Sequence, residues 1–231
     1  MTKIKVLAIS AIALLSTMSV KAQFATGADI VSSYVWRGIP QEDVTGKTGG
    51  APNIQPYASF TTGKLTLGSW ASSSFSSGLK EVDLNATYAI SSAFAITVTD
   101  YYYNFASQPN YFKYKNGTGH VFEGTLAYTG SAFSASVNTM FAGADKLNNG
   151  DNAFSTYVEL GYQIAPVAKV FIGGSLANSN TYGTTGFGIT NLGLKVSKTI
   201  AITDKFSLPL YGIVGANPYS KTTFFVAGIT L

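Results

Sequence analysis

The feature that most constrains this chain is an alternation of apolar and polar residues that recurs along most of its length. Between Glu81 and Tyr88, apolar or small side chains occupy every second position and polar side chains stand between them. A period of two is typical of a β-strand with one apolar and one polar face. Beyond the N-terminal region, no stretch approaches the roughly 18 consecutive apolar residues that indicate a transmembrane helix. We therefore expect an all-β fold.

About twelve segments show this alternation, each close to the ~10 residues that a tilted membrane strand requires. Short connections such as Thr62-Gly63 and Ala165-Pro166 alternate with long polar ones such as Asn104–Gly119. Short turns at one end and long loops at the other are typical of outer-membrane barrels, whose short turns face the periplasm. The predicted strands centre on Ile30–Arg37, Ile54–Thr61, Leu65–Ser72, Glu81–Tyr88, Phe94–Tyr103, Val121–Tyr128, Phe133–Phe141, Thr156–Gln163, Lys169–Ala177, Phe187–Ser197, Phe206–Gly215 and Thr222–Leu231.

Composition decides between a soluble and a membrane-embedded sheet. Only 11% of the residues are charged, against about 25% in an ordinary soluble domain. The alternative, a soluble β-sandwich or lipocalin-like barrel, would need a charged outer face, whereas the polar face here is mostly Ser, Thr, Asn and Gly. We predict an all-β, closed, antiparallel up-and-down transmembrane β-barrel of about 12 strands over residues 23–231, in the outer membrane of a Gram-negative cell.

Residues 1–22 are typical of a signal peptide. Lys3 and Lys5 form a positive n-region, Ile4–Leu15 supplies the apolar h-region, and Val20-Lys21-Ala22 is typical of a cleavage site. The apolar run is shorter than the roughly 20 residues of a spanning helix; an N-terminal anchor is the alternative. Without its three lysines the chain keeps 12 of its 15 basic residues against 11 acidic ones, a net charge of +1. This balance predicts no nucleic-acid partner.

Few residues are available for catalysis. The chain has no Cys and a single His, which excludes disulfides, Cys nucleophiles and multi-His metal centres. No cofactor, metal or enzymatic activity is predicted; a hydrolase that uses His120 as its base is a further hypothesis. One loop is rich in hard-oxygen side chains, which suit Ca²⁺ or simply a polar loop: Asp145, Asn148, Asn149, Asp151 and Asn152.

Charged residues in the predicted strands share the polar parity, and a charge facing lipid at mid-depth would cost about 2–4 kcal/mol. The side chains predicted to line the lumen and shape its constriction are Arg37, Glu81, Asp83, Glu123, Glu159 and Lys195. Opposed charges there would set a transverse field with a mild cation preference. Equally, they would form a salt-bridge network that fills the interior. Asp100 falls on the apolar parity and marks either a bulge or a position above the bilayer.

Aromatic residues near the strand ends predict interfacial girdles, with ordinary packing in a soluble sheet as the alternative. They are Tyr34, Trp36, Tyr101, Tyr102, Tyr103, Tyr128 and Tyr162. In the longest loop, Tyr111, Phe112 and Tyr114 are interleaved with Lys113 and Lys115. This loop is the predicted contact surface if the protein binds a partner.

The stretch Ser33–Gln41 resembles the opening strand of the TorF-type porins. That family carries a Ser-x-Tyr-x-x-Arg-Gly-x-x-Gln pattern, and this chain has Ser32, Tyr34, Arg37, Gly38 and Gln41 at the matching positions. The stretches Gly68–Ser72 and Glu81–Leu84 are similar to the family's third and fourth strands. The resemblance implies an outer-membrane barrel and supplies no catalytic residues. The final stretch Phe224–Leu231 resembles a barrel-assembly signal, although it ends in Leu where Phe is more usual.

The function predicted from these features is a porin-like channel for passive diffusion of small hydrophilic solutes. The alternative is a closed structural or adhesive barrel that binds a partner through its extracellular loops. The expected partners are outer-membrane lipid, the solutes themselves and the barrel-assembly machinery, which would engage the C-terminal strand.

Overall fold

We describe a computed structural model that covers residues 22–42, 50–76, 80–103, 110–115 and 117–231. Residues 1–21, and with them almost all of the predicted signal peptide, lie outside this range. The described residues form strands and turns, and none of them belongs to a helix long and apolar enough to cross a membrane.

Twelve antiparallel strands close into one barrel, which confirms the predicted fold class. The wall is made of β1 (Gln23–Val31), β4 (Asn53–Thr62), β5 (Leu65–Ser74), β6 (Lys80–Ala89), β7 (Phe94–Tyr103), β8 (His120–Thr129), β9 (Phe133–Gly143), β10 (Thr156–Ala165), β11 (Ala168–Ser175), β14 (Gly188–Thr203), β15 (Phe206–Asn217) and β16 (Thr222–Thr230). Two short hairpins lie outside the wall sheet: β2 (Val35–Trp36) with β3 (Ile39–Pro40), and β12 (Asn178–Ser179) with β13 (Thr184–Thr185).

The alternation of apolar and polar residues corresponds to the outer and inner faces of the barrel wall. On β6, Val82 and Leu84 are 38% and 44% exposed, whereas Glu81 and Asp83 at the alternate positions are buried. Apolar side chains with the outward parity continue around the barrel, with Ile96, Leu126 and Leu160 among them. The outer surface is therefore an apolar belt, and the polar parity faces the interior.

The two ends of the barrel differ as the sequence predicts. At one end, five connections of two to four residues join neighbouring strands, from Gly63-Lys64 to Asp204-Lys205. At the other end, the connections are longer and carry the loops and both short hairpins, except that β15 and β16 are joined by only the four residues 218–221, where the sequence predicts a longer loop. We call these the short-turn end and the long-loop end. The buried acids of β6 and β8 lie near the long-loop end because each follows closely on a long connection.

The prediction of a first strand at Ile30–Arg37 is wrong. The first wall strand is β1, and the chain then leaves the wall to form the β2–β3 hairpin, whose two-residue turn is Arg37-Gly38. Both turn residues have positive φ, 51° and 79°, as a tight type I′ hairpin turn requires. Val35 and Ile39 keep the period of two, so alternation alone cannot separate this hairpin from a wall strand.

Four predicted girdle residues face inward: Tyr101 and Tyr103 from β7, and Tyr34 and Trp36 with this hairpin. Tyr34 is buried and its ring lies 5.4 Å from that of Trp70 on β5. Trp36 is half-buried and packs against the buried cluster of Val121, Met140 and Tyr157. None of the four is part of an outward-facing girdle.

The barrel closes through a short seam between its first and last strands. β1 pairs with β4 over nine residues but with β16 over only three, from Asp29–Thr230 to Val31–Gly228. Hydrogen bonds at Ala28 and Ser32 extend the seam slightly. At the short-turn end, β14 and β15 pair with each other as far as Thr203–Phe206, beyond the last residue of β16 that pairs with β15.

Candidate functional site in the barrel lumen

The β2–β3 hairpin enters the lumen and docks its turn on β14 and β15. The Thr190 hydroxyl donates to the Arg37 carbonyl oxygen at 3.2 Å, and the Asn217 amide donates to that of Gly38 at 3.3 Å. A Cβ at Gly38 would lie 1.8 Å from the Thr190 carbonyl oxygen. Only glycine fits there, because both the close approach and the positive φ exclude a side chain.

The docked turn directs the Arg37 side chain across the lumen to Glu123 on β8. The guanidinium makes two hydrogen bonds to the carboxylate, Nη1–Oε2 at 2.6 Å and Nη2–Oε1 at 2.8 Å. Glu123 is 1% exposed, and it also accepts a hydrogen bond from the Tyr101 hydroxyl at 3.0 Å. This bidentate, doubly supported geometry is the strong form of an Arg–carboxylate pair.

Aromatic rings enclose the same guanidinium. Its central carbon lies 4.5 Å from the Trp36 ring and 4.7 Å from the Tyr157 ring, within the range of a cation–π contact. Nη1 also donates to the hydroxyl of Tyr182 at 2.5 Å. Tyr182 lies between β12 and β13, and its ring stacks on Trp36 at 5.6 Å. Both short hairpins thus meet around Arg37 at the long-loop end.

Glu159 on β10 is held by neutral donors. The Tyr157 hydroxyl donates to its Oε2 at 2.7 Å, and the Asn191 amide donates to the same oxygen at 3.0 Å. Lys195, further toward the short-turn end, lies with its Nζ 4.4 Å from the centre of the Tyr211 ring. The Tyr211 hydroxyl in turn donates to Asp29 on β1 at 3.3 Å.

The third acidic position is the pair Glu81 and Asp83 on β6. They are 1% and 6% exposed, yet both Glu81 carboxylate oxygens and Oδ1 of Asp83 lack a hydrogen-bond partner among the described residues. In the sheet register they stand opposite Tyr103 and Tyr101 of β7. No Lys or Arg among the described residues forms an ion pair with them, since Arg37 binds Glu123. The pair is an acidic patch on the lumen wall, and no ion pair compensates it among the described residues.

The interior beyond these charges is lined by small polar side chains. Thr61 and Thr66 hydrogen-bond at 2.9 Å, and Thr87 and Thr97 at 2.8 Å, both pairs toward the short-turn end. A cavity of about 170 Å³ lies beside the hairpin, between Arg37, Asn191 and the Tyr211 ring. Short side chains leave space inside a 12-strand wall, whereas long ones would fill it.

The structure places the six residues that the sequence predicts to line the lumen. Glu81, Asp83, Glu123, Glu159 and Lys195 lie on the inward face of wall strands, and Arg37 reaches the lumen from the hairpin. Of these six, Arg37 and Glu123 form an ion pair, and Glu81 and Asp83 lie side by side on the inward face of β6. Their roles in a constriction stay predictions.

Sequence reasoning missed five residues around these six, one of which is Tyr211 beside Lys195. Tyr182 lies in a polar loop, where no alternation of apolar and polar residues indicates the direction of its side chain. Tyr157 and Asn191 share the inward parity of Glu159 but carry no charge that would single them out. Asp29 would have been found from its parity with Val31, had the first strand been placed correctly.

His120 is neither a solvated rim residue nor an accessible base. Its ring is fully buried on the outward parity of β8, with Nδ1 2.7 Å from the Asp100 carboxylate and Nε2 2.5 Å from the Tyr111 carbonyl oxygen. Because both ring nitrogens are engaged, the His120 hydrolase hypothesis loses its free base. Asp100 faces outward in regular register, so it marks no bulge in β7.

The loop considered for Ca²⁺ is organised by internal hydrogen bonds. Asp145 is buried and accepts hydrogen bonds from the hydroxyls of Ser155 and Thr181 at 2.7 and 2.8 Å. Within the part of the chain that the structure describes, no group of three or more His, Cys, Asp or Glu side chains is placed to hold a metal ion. Among known proteins, no family model matches the chain and no curated sequence matches it significantly.

Proposed function

We propose that the protein is an outer-membrane, porin-like channel for passive diffusion of small hydrophilic solutes. The observation that carries this proposal is the polar interior of a closed barrel whose outside is an apolar belt. A tightly packed structural barrel would fill its interior with large, mutually satisfied side chains. Here Glu81 and Asp83 keep unpartnered oxygens among the described residues, and threonine pairs line the part beyond.

In this proposal the Arg37–Glu123 pair is the constriction. It spans the lumen from the docked hairpin to β8, with the acidic pair of β6 on the neighbouring wall. Solutes that pass meet the charge-compensated Arg37–Glu123 pair on one side and the acids of β6 on the other, which sets a transverse field. The remaining acids favour cations, because Arg37 is neutralised by Glu123.

The apolar belt supports a membrane location, since exposed bands of this extent are costly in water. We also propose that the chain belongs with the TorF-type porins. The residues that carry the resemblance, including Tyr34, Arg37 and Gly38, are those of the hairpin and its approach. The C-terminal strand β16, which completes the seam, is the segment we propose for recognition by the barrel-assembly machinery.

Single-channel recording tests the channel proposal directly. The chain without residues 1–22 is refolded in detergent, its folding is verified by the heat-dependent shift in electrophoretic mobility, and it is added to a planar bilayer. We expect discrete current steps and, under a salt gradient, a reversal potential that shows a mild cation preference. A matched Arg37→Met variant, which removes the cross-lumen cation, should conduct more. A folded barrel that stays silent in both forms contradicts the proposal.

A second function is favoured by a specific observation. Both short hairpins meet at Arg37, so the long-loop end of the lumen is densely occupied. A closed barrel that acts through its loops would have this feature. The recording above separates the two functions, because silence in verified folded protein supports the closed barrel and current steps support the channel.

A further inference from the structure

One region of the outer wall breaks the apolar belt and is covered by a loop. Asp100 and His120 face outward at the long-loop end, where the Asp100 carboxylate lies 2.7 Å from Nδ1 of the His120 ring. The loop segment 110–115 lies over this pair: the Tyr111 carbonyl oxygen accepts from the His120 ring, and the Tyr114 ring stacks on it at 4.1 Å. The predicted contact loop therefore lies against the outside of the barrel at its rim.

This contact continues into the apolar belt. The His120 ring stacks on that of Phe122, which in turn lies 6.3 Å from the ring of Phe141 on the outer face of β9. Within segment 110–115, Phe112 is 82% exposed, the most exposed large apolar side chain of the described residues. An aromatic surface thus extends from the wall through the loop to an unburied phenyl ring. Aromatic side chains in this position are typical of the membrane interface.

A basic groove opens beside the same loop. It has a volume of about 550 Å³ and lies between Tyr114 and Gly117 on one side and Ala144 and Lys146 on the other. The Lys113 amine lies beside Gly117, 3.4 Å from where a Cβ would stand. Lys146 and Lys113 are both exposed, so two ammonium groups border one groove at the edge of the aromatic surface.

Three acids near this groove have partners of their own, and Asp151 accepts a hydrogen bond from the Asn149 amide at 2.8 Å. Asp100 is paired with His120, and Asp145 is buried and hydrogen-bonded by Ser155 and Thr181. Lys146 itself donates to the side-chain oxygen of Asn152, a neutral partner. Among the described residues, the lining of the groove includes Lys146 and no Asp or Glu, so the groove suits an anion with several oxygen acceptors.

We propose that this groove binds phosphate-bearing headgroups of outer-leaflet lipids, with Phe112 inserted among the acyl chains. Lys113 and Lys146 contact the phosphate, and the His120–Asp100 pair holds the loop against the wall so that the lysines face the lipid. The inference rests on the membrane location in the proposed function. A lipid partner is favoured for this loop because its aromatic surface is continuous with the apolar belt and the lysines beside it are positively charged.

The position of the loop is tested with a Phe112→Trp variant folded into vesicles of phosphatidylcholine with brominated acyl chains. Trp36 and Trp70 lie inside the barrel, so bromine should quench mainly the added indole. We expect strong quenching of the extra emission relative to the parent protein. If the barrel is folded and floats with the vesicles but the added emission is unquenched, the loop faces water; this overturns the proposal and favours a protein partner.

The headgroup contact is tested by counting bound phosphatidic acid with native mass spectrometry in zwitterionic detergent. We expect Lys113→Gln combined with Lys146→Gln to reduce bound lipid several-fold. The matched control is Lys64→Gln with Lys205→Gln, which removes the same charge at the short-turn end and should leave binding unchanged. Equal losses in both double variants would show an effect of net charge alone and overturn the site.

These measurements separate the inference from the channel proposal. Conductance does not depend on the groove, so the lysine variants should conduct like the parent chain. A chain that fails to float with vesicles overturns the membrane location and with it both proposals. A folded, silent barrel that binds phosphatidic acid overturns only the channel.

Discussion

Two buried acidic positions in the same lumen have opposite surroundings. Glu123 receives a bidentate contact from Arg37 and a hydrogen bond from Tyr101. Glu81 and Asp83, two strands away along the wall, have three carboxylate oxygens without a hydrogen bond among the described residues. All three acids have the same parity and similar burial. What distinguishes them is the hairpin, whose turn directs its only arginine to one acid and not the others.

The difference shows that counting inward charges does not reveal which of them act on a solute. A paired carboxylate contributes little net field, because its charge is compensated within hydrogen-bonding distance. An uncompensated pair acts at longer range in the lumen. We therefore expect the free energy of unfolding to fall when the cation beside Glu123 is removed. It should stay the same or rise when the charges of Glu81 and Asp83 are removed.

The largest effect is expected from Arg37→Met. This change leaves Glu123 buried without its cation, which typically costs about 3–5 kcal/mol. The free energy of unfolding, measured by denaturant titration in detergent micelles, should fall by about that amount. Adding Glu123→Gln should restore much of the loss, because the uncompensated charge is then absent. If the double variant is as unstable as the single one, the Arg37–Glu123 pair is not the source of the stability.

The turn that positions Arg37 should be almost as sensitive. In Gly38→Ala, the new Cβ meets the Thr190 carbonyl oxygen and the residue must hold a positive φ. Strain of this kind costs about 1–3 kcal/mol. We expect a loss of unfolding free energy in this range together with larger conductance, since the hairpin loses its dock. Gly150→Ala is the control, because that glycine also has positive φ but nothing within 4 Å of a Cβ. Equal effects of both changes would argue against docking.

The acidic pair of β6 should behave in the opposite way. Glu81→Gln combined with Asp83→Asn removes buried charge that has no ionic partner, so the free energy of unfolding should stay the same or rise by about 1 kcal/mol. The same variant should reduce the cation-to-anion permeability ratio by about twofold. Reversal potentials under a salt gradient measure this ratio. An unchanged reversal potential means that these acids do not set selectivity.

The smallest effect is expected from Tyr182→Phe. The change removes one hydroxyl that accepts from Arg37 and keeps the ring that stacks on Trp36. A single buried hydrogen bond to a charged group contributes about 1.5–3 kcal/mol at most, and the Glu123 contacts remain, so we expect about 1 kcal/mol. Thermal unfolding in micelles measures it. A loss as large as that of Arg37→Met would mean that Tyr182 is the main anchor.

Much of this fold is determined by local alternation and is readable from the sequence. Val82 and Glu81 fall on opposite faces because adjacent residues of a strand point to opposite sides, and the same rule places Glu159 and Lys195 inside. The alternation of short and long connections fixes the strand order, since neighbouring antiparallel strands need only a tight turn.

The site was less predictable because it depends on contacts between distant segments. The Arg37-Gly38 turn lacks the Asn-Gly or Asp-Gly signal of a tight hairpin, so the sequence places Arg37 in the lumen but on the wrong element. Tyr182 reaches Arg37 from a loop without periodicity. His120 is buried by residues 110–115, and no local pattern indicates that this loop folds back on the wall.

The short seam between β1 and β16 has a consequence for the position of the hairpin in the lumen. The chain passes from Val31 at this join straight into the hairpin that ends at Arg37. Parting the wall costs least where the fewest pairs hold it, and local opening starts at such lines of low stability. The β2–β3 hairpin thus follows directly on the wall contact with the fewest strand pairs. A small separation of β1 and β16 would therefore displace the hairpin as well.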